Sequence, residues 1–160
     1  MAPKSKKDRF KKNKRTIKKR PIEIGAMSKK PRSNMNDRSH IVMIFMEMLN
    51  TVKIYHWKTR SYAQHKATDE LYSKLNEHID TFIETLSGKD GSRIKLMENE
   101  IQVLDETNTN DFRKRIFEYR SFLINMNSYF DSKKDTDLLN IRDEILGDIN
   151  QFLYLLTFNK

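Results

Sequence analysis

Residues 56–84 read HWKTRSYAQHKATDELYSKLNEHIDTFIE. No Gly or Pro interrupts them. Thr68, Leu71, Tyr72, Leu75, Ile79, Phe82 and, just beyond, Leu86 recur at the helical interval. The stretch therefore predicts a long helix over 62–86, opened by a Ser61/Gln64 capping box and ended by Gly88. Beside its apolar stripe lie His65, Asp69, Asp80 and Glu84. At 100° per residue they fall at about 0°, 40°, 60° and 100°, so they share one flank. Imidazole with carboxylate is ligand chemistry for a transition metal such as iron or zinc. A solvated flank with surface ion pairs is the ordinary alternative.

The spacing sets a limit. The centres of the His65/Asp69 and Asp80/Glu84 pairs are roughly 22 Å apart along the helix, so one ion cannot touch both pairs of one chain. Two antiparallel copies related by a two-fold axis near residues 74–75 would set the first pair of one copy against the second pair of the other. Ser73 and Asn76, small and polar on the same flank, permit close approach. Symmetric self-contacts of this kind are the commonest in homo-oligomers.

The other segments extend the helical reading. A helix over 37–59 carries Ile41, Phe45, Met48, Leu49, Val52 and Tyr55 as its core stripe. Val42, Met43, Met46 and Ile54 fall outside that stripe, which implies burial on two sides. Ile94, Met97, Ile101 and Leu104 suggest a short crossing helix within 89–109. A third long helix over 111–130 turns Phe112, Ile116, Tyr119, Leu123, Met126 and Phe130 inward. A fourth over 136–158 uses Leu138, Ile141, Ile145, Ile149, Phe152 and Leu156. Tight links within each pair and a longer link between pairs suit an all-α, ferritin-like antiparallel four-helix bundle with one long crossover. The expected bundle occupies 35–160.

Residues 1–34 are different in kind. They hold 14 Lys/Arg against two acids, a net of +12, and all three Pro of the chain. Since the whole chain nets +9, residues 35–160 net −3. The arm has no hydrophobic period and is expected to be disordered unless bound. Lys4, Lys6, Lys7, Arg9, Lys11, Lys12, Lys14, Arg15, Lys18, Lys19 and Arg20 are candidate phosphate contacts. Each releases a counterion on binding, giving strong and salt-dependent attachment to DNA or other nucleic acid without sequence readout. Lys11–Arg15 and Lys18–Arg20 also resemble a nuclear import signal. Contact with acidic protein surfaces in an assembly is the rival use.

Several classes are excluded or disfavoured. With no Cys, thiolate sites and disulfides are absent. The longest apolar run, Ile41 to Met46, is far short of the ~20 residues of a membrane span. No apolar signal-peptide stretch opens the sequence, which argues against secretion. No nucleophilic triad, P-loop or dinucleotide fingerprint is present. The expected setting is intracellular, in nucleus or nucleoid, with a virion as the other option.

The segment HW…H…DELY…HID…E resembles the first two helices of the Dps family, ferritin-like proteins that oxidise iron and protect DNA. The second-helix pattern matches at His65, Asp69, Asp80 and Glu84, and His56-Trp57 matches a pair at the end of the first helix. The nine-residue step from His56 to His65 is shorter than in that family. The resemblance implies an iron site across a two-fold dimer interface, His56 joining the four second-helix residues, and a DNA-holding basic tail. The implied activity is that of a ferroxidase. The Lys/Asn/Ile-rich style is also similar to Dps-like proteins of large DNA viruses. That similarity implies a non-enzymatic alternative, a minor capsid or DNA-packaging virion protein. Its bundle would be scaffold, and its arm would anchor to nucleic acid or other virion proteins.

Overall fold

The computed structural model describes residues 35–96, 101 and 108–158, with side chains from Arg38 onward and without that of Asp90. The basic arm and its candidate phosphate contacts lie outside these residues, as do Met97 and Leu104. The described residues are all helical apart from turns and links, and include no strand. Four long helices follow in order: α1 (Met35–Lys58), α2 (Tyr62–Asp90), α3 (Thr109–Asn125) and α4 (Thr136–Leu155). Short 3-10 turns, Met126–Ser128 and Leu156–Phe158, continue α3 and α4. None of the helices is long and apolar enough to cross a membrane.

The start of α2 follows the expected cap: Ser61 is extended and its hydroxyl accepts from the Gln64 backbone N–H. Its end does not follow the expectation. Gly88 is absorbed into the helix, and the chain stops at Gly91, whose φ of 66° is the left-handed conformation that favours glycine. A helical glycine at an exposed position costs only about 1 kcal/mol, too little to end a helix packed along its length. The third helix is shorter than expected, because the backbone tightens to 3-10 at Met126. Residues 92–96 form no helix; Ile94 nevertheless packs against the core.

One continuous core joins all four helices. Phe45 meets Phe82 and Phe122 edge-on at 5.3 and 6.3 Å, Phe82 meets Phe130, and Phe112 meets Phe152. Every expected inward residue of α1 and α3 is buried. Val42 and Met43 are buried too, so the N-terminal half of α1 is covered on two sides, whereas Met46 is exposed and Ile54 half-buried. Ile141 and Tyr72 are only half-buried.

Two buried arginines tie helix ends. Arg38 of α1 donates to the Leu86 carbonyl at 2.6 Å, and Arg142 of α4 donates to the Leu123 carbonyl at 2.6 Å. Each satisfies a carbonyl in the last turns of a neighbour, where the helix dipole also favours a cation.

The cross-contacts fix the directions. The start of α1 meets the end of α2 through Arg38 and Leu86, and its end meets the start of α3 through Tyr55 and Thr109. Lys89 near the end of α2 pairs with Asp135 and Asp137 at the start of α4, while Lys74 reaches Gln151. So α1/α2, α2/α4 and α1/α3 run antiparallel. The link after α2 begins at one end of the helices and delivers α3 at the other.

Candidate metal half-site

The candidate residues sit where α1 turns back into α2. Thr59 donates its backbone N–H to Tyr55 O at 2.9 Å, and its hydroxyl to Gln64 Oε1 at 2.7 Å. Tyr55 donates to the same oxygen at 2.8 Å. The corner so fixed brings the last turn of α1 against the first turns of α2, and with it His56 against His65. Their rings stack with centroids 3.8 Å apart and planes 22° apart.

The two imidazoles anchor one another's helix. His56 Nδ1 lies 3.0 Å from the His65 carbonyl oxygen, and His65 Nδ1 lies 3.0 Å from the His56 carbonyl oxygen. Thr68 Oγ1, which donates to the Gln64 carbonyl at 2.7 Å, stands 3.3 Å from His56 Nδ1. A carbonyl oxygen only accepts, so both Nδ1 atoms carry the hydrogen. In the neutral rings the lone pair is then at Nε2, the arrangement by which a backbone carbonyl prepares a histidine ligand.

His56 is buried and His65 exposed. His56 Nε2 stands 3.8 Å from Asp69 Oδ1, and Lys53 Nζ stands 3.8 Å from the same oxygen. The gap between His56 Nε2 and the carboxylate is one that either a proton on Nε2 or a metal ion would bridge. Lys53, held 4.6 Å from the centre of the Tyr72 ring, supplies one positive charge from the side.

Asp80 and Glu84 are exposed about three and four turns beyond Asp69 along α2, and Ser73 and Asn76 between the pairs are exposed too. The single chain thus sets His56 against His65 on one side and Asp69 on the other, and leaves Asp80 and Glu84 apart. Among the described residues, no three His, Asp or Glu side chains of the chain converge as a metal-binding group.

Two polar clusters escaped the sequence reading. His78 Nδ1 lies 3.0 Å from Asp148 Oδ2, bridging α2 and α4, with Lys74 3.7 Å from the same carboxylate. Glu47, between α1 and α3, accepts from the buried Tyr119 hydroxyl at 2.9 Å, and Thr51 bonds that hydroxyl too. Arg115 Nη1 stands 4.0 Å from Glu47 and 2.6 Å from Glu118. Burial raises the Glu47 carboxyl above the usual carboxylate range, and burial with the nearby Glu47 charge raises the Tyr119 phenol. Partners some 70 residues apart leave no local signal.

Residues 56–156 match a family of unknown function, DUF5856. The chain belongs to DUF5856. The matched segment begins at His56 and runs to Leu156, so it holds all five candidate ligands and three of the four helices. No curated protein and no solved structure is detectably similar to this DUF5856 chain.

Proposed function

We propose that this DUF5856 chain is a Dps-like protein. On this reading it attaches to nucleic acid through its basic arm and takes iron as substrate at a site shared by two copies. The observation that carries the iron reading is the reciprocal anchoring of His56 and His65, which commits both Nδ1 atoms and leaves the Nε2 atoms uncommitted, that of His56 beside Asp69. Imidazole with carboxylate suits iron. His56, His65 and Asp69 of one copy would hold it with Asp80 and Glu84 of the other, and oxygen or peroxide would take the electrons. The antiparallel pairs and the end-to-end link after α2 support the ferritin-like form of the bundle.

Iron oxidation followed by absorbance on the purified protein tests this. Wild type should oxidise Fe(II) faster than buffer, and the Asp80→Ala/Glu84→Ala variant should not. Equal rates in both would remove the shared site.

The arm has its own test. Residues 35–160 net −3 and should bind duplex DNA poorly, whereas the full chain should bind tightly and lose affinity steeply between low and physiological salt. Equal binding by the truncated chain would rule the arm out as the main contact.

One observation favours a second reading. Lys53 already stands beside Asp69, as it would in a plain structural ion pair. The bundle would then be a scaffold, and the arm an anchor to nucleic acid or to neighbouring virion proteins. The same oxidation assay separates the two.

A further inference from the structure

The corner between α1 and α2 leaves two large aromatic side chains in water. Trp57 is 69 % exposed and Tyr62 74 % exposed. Only Lys58 and the turn 59–61 lie between them. The fold of the single chain has not buried this surface, although both residues sit on well-packed helices, and in the proposed dimer Tyr62 borders the shared site. Among the described residues five aromatics are exposed, and four of them are at this end of the molecule: Trp57 and Tyr62 here, Tyr154 and Phe158 at the end of α4.

Charge gathers at the same corner. Residues 48–68 contain Lys53, Lys58, Arg60 and Lys66 and no acid, a net of +4. Residues 35–160 together net −3, so the rest of that region nets −7. The corner is a basic spot on an acidic body. It is also rigid, since Tyr55, Thr59 and Gln64 are bonded together under it and Tyr55 stacks flat on Phe112 at 3.8 Å. The aromatic platform is therefore held in place before any ligand arrives. Beside it an open groove of about 700 Å³ runs between α2 and the end of α4, floored by Ala63, Ala67, Leu155 and Phe158; Asp69 and Glu70 mark where the basic spot stops.

We propose that this corner is a stacking site for single-stranded nucleic acid. Exposed rings set among Lys and Arg take unpaired bases by their faces and phosphates by charge, without reading sequence. A duplex keeps its base faces covered and gains only the charge. The site deepens the nucleic-acid half of the proposed function and differs from it in place, on the bundle instead of the arm. DNA and RNA single strands share the chemistry.

Trp57 is the chain's only tryptophan, so its emission reports on the corner directly. Full-length protein is titrated with end-labelled oligo-dT, oligo-rU and a duplex of equal length, reading label anisotropy for binding and Trp57 emission for stacking. Both single strands should bind and quench Trp57 strongly; quenching by one alone would assign the site to that sugar. The duplex should bind with little quenching. Tyr62→Ala should weaken single-strand binding about tenfold and spare duplex binding, while Tyr62→Phe should retain both. Far-ultraviolet circular dichroism checks that each variant folds. Single-strand binding without Trp57 quenching would overturn the corner site and leave the arm reading standing. No anisotropy change with any oligonucleotide would overturn both. A blue shift with anionic phospholipid vesicles, in place of quenching by oligonucleotide, would assign the corner to a lipid surface and overturn it too.

Discussion

The two ends of the α2 flank carry the same chemistry and have different surroundings. At the first end α1 supplies a stacked imidazole and accepts and returns a hydrogen bond, so His65 and Asp69 sit in a braced corner with buried His56. At the second end Asp80 and Glu84 stand in solvent on a bare stretch of helix. The first end is organised by the chain's own fold. The second has no such brace among the described residues. A periodic flank therefore does not make a site; a neighbouring helix does, and on the proposed reading a second copy supplies that neighbour for Asp80 and Glu84.

The largest effect should come from the bare end. Asp80→Ala/Glu84→Ala should cut iron oxidation at least tenfold, as loss of ligands does, while the unfolding midpoint stays unchanged. A fall in both together would mean that these carboxylates support the fold.

Next in size is the braced end. His56→Ala removes a buried stack and the bonds made by Nδ1, and leaves the His65 carbonyl with the Thr68 hydroxyl as its side-chain donor. It should destabilise the chain by about 1–3 kcal/mol in denaturant unfolding. Asp80→Ala should stay within about 0.5 kcal/mol. Equal costs would erase the contrast between the ends.

Lys53→Met sharpens the rivalry at Asp69. If the carboxylate serves a metal, removing the competing ammonium should tighten iron binding up to about fivefold, the worth of an exposed ion pair. Unchanged binding would favour the scaffold reading.

The smallest effect concerns Glu47, away from both ends. Burial holds its proton more tightly in the folded chain than in the unfolded one. The folded state therefore binds more protons above the usual carboxylate range, and stability falls as pH rises through that window. Glu47→Gln keeps an oxygen to accept from Tyr119 and cannot ionise. Its melting temperature should vary less between pH 5 and pH 8 than that of wild type, and a steeper dependence would contradict the burial argument.

Much of the fold was legible because helical periodicity is a local signal. The stripes from Ile41 to Tyr55 and from Phe112 to Phe130 were read correctly, and Ser61 announced its cap three residues before Gln64. The end of α2 was misread because Gly88 and Gly91 are equivalent as letters. Only the tertiary packing decides which of them takes the left-handed turn. Arg38 and Arg142 look like surface residues; their burial depends on carbonyls supplied by a neighbouring helix. The same holds for the site. Its flank was legible, whereas the stacking of His65 on His56 depends on how tightly residues 59–61 fold back. His78 with Asp148 depends on α2 meeting α4, which no local pattern announces.

The shared site is tested most directly by complementation. His65→Ala/Asp69→Ala and Asp80→Ala/Glu84→Ala variants are prepared alone and as a co-expressed, doubly tagged mixed dimer, and iron oxidation is measured for each. In a two-fold dimer the mixed species rebuilds one of its two sites from the intact half of each chain. Each variant alone should be inactive, and the mixed dimer should recover about half of the wild-type rate. An inactive mixed dimer, or activity in either variant alone, would contradict a site built from two copies of α2.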